Sequence, residues 1–253
     1  MPAPIALQLY SVRDQLARDF DGTVERVAAM GYAGVETGGF APGTAAATAQ
    51  LFKSLGLAVC GYHTGLPLAD KLPELLDTLA ALDCRRLVIA YVPPEHFQSL
   101  DGVKQTAERL NEAAALARAN GLSLGYHNHW FEFYQVAGRP AYDYFLEALS
   151  PDVFLEVDVY WAKTGGVDPA ALVQRLGARA PLLHLKDGPA QTGVPMTALG
   201  DGVVDIPACV AAGQGTADWL VVELDECATD MLTAVERSFQ YLTERGLGRG
   251  QEG

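Results

Sequence analysis

The sequence predicts a single (β/α)₈ barrel over residues 1–253. Eight short apolar segments alternate with helical stripes along the chain, and no linker or low-complexity block separates them. Such alternation implies parallel strands joined by right-handed helical crossovers. A chain of 253 residues is also close to the ~250 residues typical of this barrel. No GxGxxG motif follows the first strand, which counts against an open nucleotide-binding sheet.

Each predicted strand is a short apolar run with polar side chains near its end. The strands are expected at Ile5–Tyr10, Gly34–Thr37, Leu57–His63, Arg86–Tyr91, Leu122–Leu124 continuing into Gly125–Phe133, Val153–Tyr160, Leu182–Lys186 and Trp219–Asp225. In the sixth strand, the alternation of strand side chains predicts Glu156, Asp158 and Tyr160 on one face. A short hairpin is expected around Gly138-Arg139-Pro140, before the next helix.

The helices are predicted from apolar stripes and from residues typical of helix ends. They are expected at Val24–Met30, Thr44–Leu55, Asp70–Asp83, Gly102–Asn120, Tyr142–Leu149, a segment opened by Asp168-Pro169, Ile206–Ala212 and Met231–Arg245. Asp21 or Thr23 is the expected N-cap of the first helix. The loop Gly188–Gly202 is long enough to cover a site, and Gly246–Gly253 is expected to be a frayed tail.

Composition and charge exclude several classes of protein. The net charge of -13, without a run of Lys or Arg, counts against a nucleic acid partner. The four cysteines are far apart and form no CxxC pair, so neither a zinc knuckle nor a disulfide framework is expected. The N-terminus lacks the features of a signal peptide, and no segment approaches the ~20 apolar residues that span a membrane. We therefore expect a cytoplasmic protein without a membrane partner.

The richest stretch for chemistry is Gly125–Phe133, which reads GYHNHWFEF. It places His127, His129 and Glu132 within six residues. Strand alternation puts the two histidines on one face. Glu132 is out of phase with them and can join them only if the chain bends after His129.

The barrel predicts where these groups meet, because its active site forms at the C-terminal ends of the strands. The polar residues expected to converge there are Glu36, His63, His127, His129, Glu132, Glu156, Asp158, His184, Lys186, Glu223 and Asp225. So many carboxylates require a compensating cation, since each buried anion costs several kcal/mol. Mixed Glu, Asp and His ligands without Cys favour Mn²⁺, Mg²⁺, Co²⁺ or Zn²⁺, and the residues alone do not choose among them.

Four motifs resemble the sugar phosphate isomerase/epimerase superfamily, the xylose isomerase-like TIM barrels, and the resemblance covers essentially the whole chain. They are HNHWFEF, FLEVDVYWAKTGGVDP, LLHLKDG and VVELDE. The resemblance implies one divalent metal, with Mn²⁺ as the first expectation, held by a Glu, an Asp, a His and a second Glu from successive strands. Asp158, His184 and Glu223 match the last three ligands directly. We assign Glu132 as the first ligand, with His127 or His129 as the substitute if the chain directs Glu132 away.

The resemblance also implies an activity on a small sugar and suggests a homo-oligomer. The expected reaction is isomerisation or epimerisation of an unphosphorylated keto-sugar or inosose, by proton abstraction next to a metal-polarised carbonyl. The residues expected to act in it are Glu132 and Glu223 as proton-transfer groups, His129 and Lys186 as further catalytic groups, and His63, His127, Tyr10 and Trp161 as substrate contacts. Glu36 and Glu156 fit a bracing role as well as a site role.

Three alternatives remain open from the sequence. A lyase or dehydratase acting on a 3-keto-sugar or keto-inositol would use the same metal, with His129 or Lys186 protonating a leaving group. An apurinic endonuclease shares this barrel but normally needs three zinc ions and a basic groove, and the acid excess counts against it. A barrel that only binds a sugar would have lost catalysis, which the complete ligand set disfavours.

Overall fold

The computed structural model describes residues 1–39 and 41–251, and in this part of the chain eight parallel strands close into a barrel. The strands are β1 (Ile5–Gln8), β2 (Gly34–Thr37), β3 (Ala58–Thr64), β4 (Arg86–Ile89), β5 (Ser123–His127), β6 (Phe154–Asp158), β7 (Leu182–Leu185) and β8 (Trp219–Val222). Consecutive strands are neighbours, and β1 pairs with β8 to close the barrel. The predicted fold class is confirmed.

Helices connect the strands and cover the outside of the barrel. The α-helices span Arg13–Leu16, Phe20–Ala29, Ala45–Ser54, Leu72–Ala81, Leu100–Ala119, Ala141–Ala148, Val159–Thr164, Pro169–Leu176, Ile206–Ala212 and Met231–Glu244. Short 3-10 turns lie at Leu9–Val12, Pro94–Phe97, Phe131–Phe133 and Gly177–Arg179, and the expected hairpin pairs Gln135–Val136 with Arg139–Pro140. Across residues 1–39 and 41–251, none of the helices combines the length and apolar character that crossing a bilayer requires.

The first long helix begins earlier than predicted. Its N-cap is Asp19, whose carboxylate accepts a hydrogen bond from the Gly22 N–H at 3.0 Å. The prediction of Asp21 or Thr23 as the cap was wrong, because Asp19 is the residue with extended backbone before the first helical turn. An Asp at this position satisfies a backbone donor that the first turn leaves unpaired.

Strand β6 ends before Tyr160, so the prediction that Tyr160 shares its face was wrong. Asp158 is the last strand residue and also caps the helix that follows, accepting a hydrogen bond from the Trp161 N–H at 2.7 Å. Tyr160 therefore lies in the first turn of that helix and is fully buried. The polar residue at the strand end stops the strand, because its side chain starts a helix.

The barrel interior changes from apolar to polar along its axis. A small apolar layer near the N-terminal ends contains Ala6, Cys60 and Val221. Closer to the C-terminal ends, the Gln8 amide donates a hydrogen bond to the Glu36 carboxylate at 2.8 Å, and both side chains are fully buried. A Cβ atom at Gly61 would lie 2.3 Å from Glu36 Oε1, so glycine is required there to make room for the carboxylate.

The long loop after β7 is organised by one buried carboxylate. Asp187 accepts hydrogen bonds from the backbone N–H groups of Gly188, Gly200, Gly202 and Val204 at 2.8 to 3.1 Å. Its side chain is fully buried. The loop is therefore a fixed wall, held at both of its ends by the same side chain.

We expect Asp187→Ala to lower the free energy of unfolding by about 3 kcal/mol or more, because four backbone N–H groups, two of them buried, would lose a charged acceptor. Urea unfolding measures this loss, and amide exchange at Gly200 and Gly202 should accelerate. Asp201→Ala is the matched control in the same loop. It breaks only the exposed Asp201–Arg237 pair at 2.8 Å, which is worth less than about 1 kcal/mol. Equal losses in the two variants would contradict the role given to Asp187.

The C-terminal segment is docked against the bottom of the barrel where it is described. The Arg249 N–H donates to the Ala3 carbonyl at 3.0 Å, and the Ile5 N–H donates to the Arg249 carbonyl at 2.9 Å. The Gln251 N–H donates to the Gly31 carbonyl at 2.9 Å. The expected frayed tail is therefore not found over residues 246–251, and residues 252–253 lie outside the described residues.

Candidate functional site

Four metal-capable side chains meet at the C-terminal ends of β5 to β8. They are His127, Asp158, His184 and Glu223, and one ligand atom from each lies within 4.8 Å of the others. His184 Nδ1 lies 2.8 Å from Glu223 Oε2, and His127 Nε2 lies 3.6 Å from Asp158 Oδ2. All four side chains are buried. We call these four residues the outer group.

A second set of polar side chains lies against the opposite ring nitrogens of the same histidines. Glu156 Oε2 is 2.9 Å from His127 Nδ1, 3.1 Å from His184 Nε2 and 2.8 Å from His63 Nε2. Glu36 Oε2 is 2.6 Å from His184 Nε2 and 3.1 Å from His63 Nε2. We call Glu36, His63 and Glu156 the inner group. His127 and His184 thus each face the outer group with one nitrogen and the inner group with the other.

Lys186 lies beside the outer group and places a positive charge next to its carboxylates. Its ammonium lies 3.0 Å from Asp158 Oδ2, 2.7 Å from Glu223 Oε2 and 2.9 Å from Asp225 Oδ2. Burial disfavours the charged amine, but the three carboxylates together raise the pKa of Lys186 well above its usual value. A buried ammonium is stable only with such partners, so Lys186 is held as a cation beside the metal-capable group.

Burial and charge shift the pKa values of neighbouring groups in different directions. Burial raises the pKa of Asp158 to about 6, although Lys186 opposes the shift. Burial alone would raise the pKa of Glu223, but Lys186 and His184 hold it well below its usual value. Burial lowers the pKa of His127 well below its usual value, and the neighbouring His184 adds to the shift. Burial also disfavours the charged form of His63, but two carboxylates of the inner group raise its pKa to about 10.

A cavity of about 450 Å³ opens above these groups. Seven of the predicted site residues line it, namely Tyr10, His63, His127, His129, Lys186, Glu223 and Asp225. The volume lies within the usual range for small-molecule sites of roughly 300–1,000 Å³. The structure therefore brings most of the predicted substrate contacts and proton-transfer groups to one cavity.

The predicted aromatic contacts differ in their access to this cavity. Tyr10 borders it with 39% of its surface exposed. Trp161 is buried behind it, with its ring 5.6 Å from Lys186 Nζ and 6.5 Å from the His129 ring. Trp161 therefore supports the cavity wall through other side chains, and a direct stacking role stays a prediction.

Glu132 is not brought to the outer group. The chain does bend after His129, but the Glu132 carboxylate accepts a hydrogen bond from the Tyr126 hydroxyl at 2.6 Å and from the His129 N–H at 3.0 Å. Tyr126 alternates with His127 and packs outside the barrel, against Phe145. Glu132 is therefore held on the outer side of β5, whereas His127, one of the two substitutes named from the sequence, belongs to the outer group.

Glu36 and Glu156 form the centre of the inner group. From the sequence, each fitted either a bracing role or a role in the site. Both are fully buried within contact of histidines. The signal that indicates them is strand alternation, since Glu156 lies two residues before Asp158 on the same face of β6. Glu36 is the register partner of Gln8 and shares the barrel interior with it.

The outer group fits a divalent ion on the chemistry of its donors. Two imidazoles and two carboxylates without a thiol suit Mn²⁺, Co²⁺ or Zn²⁺. Asp158 Oδ2 is buried without a hydrogen bond among the described residues, although Lys186 lies nearby. Lys186 Nζ already offers this oxygen one positive charge at 3.0 Å, and a bound ion would supply a second.

Comparisons with known proteins agree with this architecture. The family model described as xylose isomerase-like TIM barrel matches residues 24–245. A sugar phosphate isomerase/epimerase from Parabacteroides distasonis ATCC 8503 has a similar structure, with a TM-score of 0.83, 24% identity, and coverage of 98% of this chain and 96% of that chain.

Two further solved structures are similar at lower identity, and they bear on the fold alone. The probable 3-DHS dehydratase AsbF from Bacillus anthracis has a TM-score of 0.75 and 14% identity, covering 96% of this chain and 99% of that chain. An L-ribulose 3-epimerase has a TM-score of 0.68 and 18% identity, covering 97% of this chain and 94% of that chain. A search of curated proteins found no significant match.

Proposed function

The chain belongs to the xylose isomerase-like TIM barrel family, and we propose that it is a divalent-metal-dependent isomerase or epimerase of an unphosphorylated keto-sugar or inosose. The observation that carries the proposal is the outer group, which places two imidazoles and two carboxylates beneath one cavity. The same cavity holds the Lys186 ammonium, a proton donor for a sugar oxygen. The arrangement suits proton abstraction next to a carbonyl.

His127, Asp158, His184 and Glu223 would hold the ion, with Mn²⁺ as the first candidate. When bound, the divalent ion would polarise a substrate carbonyl as a Lewis acid. Glu36, His63 and Glu156 would fix the ring orientation of the two histidine ligands from behind, as carboxylates commonly do for metal-binding histidines.

Glu223 is the group best placed to take the proton. Lys186 and His184 keep its carboxylate ionised, and it borders the cavity. A correctly placed general base contributes about 10²- to 10⁴-fold to a rate. Lys186 and His129 border the same cavity and would move a proton between substrate oxygens. Glu132 is removed from this scheme because Tyr126 and the His129 backbone hold its carboxylate.

The charge of the cavity supports an unphosphorylated substrate. Among the described residues that line it, Lys186 is the sole lysine or arginine. Its ammonium is already within 3.0 Å of three carboxylates. Phosphate sites normally offer Arg, Lys or a helix N-terminus. In this cavity a phosphate would instead be repelled by the three carboxylates, because the one ammonium is already paired with them.

Deuterium exchange tests the proposal directly. We expect the Mn²⁺-loaded protein to transfer solvent deuterium into L-ribulose or an inosose in deuterium oxide, read by mass spectrometry, and to lose this activity with a chelator. Exchange that survives complete removal of the metal would overturn metal dependence. If the metal-loaded protein incorporates deuterium into none of a panel of unphosphorylated keto-sugars, the proposed substrate class is wrong.

A lyase or dehydratase on a 3-keto-sugar or keto-inositol is the second candidate, and the position of Glu132 favours it. With Glu132 turned away, the cavity offers Glu223 as a base and Lys186 as an acid, which is sufficient for elimination. The products separate the two candidates. Elimination releases a leaving group and forms a conjugated enone that absorbs in the ultraviolet, whereas isomerisation changes only the arrangement of atoms.

We expect Glu156→Gln to weaken Mn²⁺ or Zn²⁺ binding by about 10- to 100-fold, the usual effect of losing a carboxylate that supports a metal-binding histidine. Glu156 is within 3.1 Å of both candidate ligands His127 and His184. Competition with a chromophoric chelator measures the affinity. Glu147→Gln is the matched control, because Glu147 is exposed and pairs with Arg139. Unchanged metal affinity in Glu156→Gln would contradict the supporting role.

A further inference from the structure

A second cavity adjoins the one above the metal-capable group. It encloses about 380 Å³ between the segment after β4 and the segment after β5. Tyr91, which follows β4, borders both cavities. The Tyr91 ring packs edge-on against the His129 ring, with 5.2 Å between centroids, and His129 borders the first cavity. We call the second space the aromatic cavity.

Its lining is aromatic and uncharged. The described lining residues are Tyr91, Pro94, Phe97, Gln98, Trp130, Phe131, Tyr134, Gln135 and Val136, and none of them is acidic or basic. A charged ligand would find no counter-ion there. Aromatic faces suit the C–H faces of a sugar ring, and the amides of Gln98 and Gln135 can donate and accept hydrogen bonds to hydroxyl groups.

The aromatic side chains that line this cavity pack against further aromatic side chains. Two of the lining residues, Tyr91 and Tyr134, are exposed to solvent. Trp130 packs on Trp161 with 4.6 Å between centroids, and Phe131 packs beside Phe97 at 5.9 Å. Tyr91 is 51% exposed and Tyr134 is 56% exposed. Both side chains line the aromatic cavity, and contiguous exposed apolar surface commonly marks a binding site.

Each of the two cavities has a volume that suits one ring-sized part of a small ligand. Both volumes, about 450 and about 380 Å³, lie near the lower end of the range for small-molecule sites. Since Tyr91 borders both cavities, a ligand that fills both must consist of two ring-sized parts with a short connection. A disaccharide has this shape and carries no charge.

We propose that the substrate is a glycoside whose second, neutral sugar ring occupies the aromatic cavity. The inference rests on the proposed function, in which the reacting keto-sugar occupies the first cavity. Tyr91 then lies beside the glycosidic linkage, and Tyr134 with Trp130 contacts the second ring. The aromatic cavity is a specificity site: it selects two-ring substrates over single sugars without taking part in proton transfer.

Binding to the metal-loaded protein tests the inference without requiring turnover. We expect cellobiose to bind at least tenfold more tightly than D-glucose in isothermal titration calorimetry. Tyr134→Ala and Tyr91→Ala should each reduce cellobiose affinity about five- to tenfold, the size of an aromatic stacking contact. D-glucose affinity should stay unchanged in Tyr134→Ala. Tyr144→Ala is the control, since Tyr144 packs under Arg139 outside both cavities.

The outcomes separate this inference from the proposed function. Equal affinity for cellobiose and D-glucose, equal losses of both sugars in Tyr134→Ala, or no cellobiose binding at millimolar concentration would each overturn the second-ring site. A protein that prefers cellobiose and depends on Tyr134, yet never exchanges deuterium into a keto-sugar, would retain the second-ring site and lose the proposed reaction.

Discussion

Replacing His184 with alanine should remove the bound divalent ion. His184 is fully buried, and its Nδ1 lies 2.8 Å from Glu223 Oε2. Its loss removes one of the two imidazole donors, and the three remaining side chains bind the ion much more weakly. Elemental analysis of purified protein loaded with Mn²⁺ or Zn²⁺ should fall from about one equivalent to near zero. His96→Ala is the matched control, because His96 lies outside the metal-capable groups of the described residues.

A companion pair of variants decides the first ligand. We expect His127→Ala to lose the ion as His184→Ala does, and Glu132→Ala to keep it. The reason is the position of each side chain, because His127 Nε2 faces Asp158 at 3.6 Å while Glu132 binds Tyr126 at 2.6 Å. Circular dichroism must show that each variant is folded. Metal retained in a folded His127→Ala but lost in Glu132→Ala would restore Glu132 as the ligand.

Glu223→Gln should abolish proton exchange while the barrel stays folded. The amide has the shape of the carboxylate but cannot accept a proton, so the rate of deuterium incorporation should fall by about 10²- to 10⁴-fold. Exchange into L-ribulose or an inosose measures the rate. Metal content must be measured in parallel, because Glu223 also belongs to the outer group.

Glu226→Gln provides the control for that substitution. Glu226 is exposed and three residues from Glu223 in the same strand-end segment, so its variant should exchange deuterium at the rate of the parent protein. Full activity in a metal-loaded Glu223→Gln would exclude Glu223 as the base. A reduced rate that extra metal fully restores would assign Glu223 to metal binding alone.

The fold was predictable because its signals are local and repeated. Each short apolar run alternates with a helical stripe, and parallel strands of this kind close a barrel. The ends of elements were less predictable, because a polar residue at a strand end can either extend the strand or cap the next helix. Asp158 does the second, since its carboxylate accepts the Trp161 N–H, and Tyr160 moves into the helix as a result.

The sequence predicted which residues would belong to the site, but not which of their side chains would contact one another. Asp158, His184 and Glu223 were indicated by their positions at strand ends, and the barrel brings them together. Glu36, His63 and Glu156 were among the residues expected to converge, but the partners of the two carboxylates stayed open. Whether Glu36 and Glu156 face solvent, a helix or a histidine depends on the registers of β2 and β6 with their neighbours. Those registers place them against His63 and His184.

The sequence by itself determined the barrel and the set of polar residues that follow its apolar strands, since periodicity and chain direction fix both. The tertiary structure decided which side chains share a centre. Glu132 was the ligand assigned from the sequence, and His127, five residues earlier, was one of its two substitutes. Only the packed barrel shows that Tyr126 holds Glu132 outside the strand while His127 faces the axis. Contacts between residues distant in sequence arise from closure of the barrel, and no local pattern encodes them.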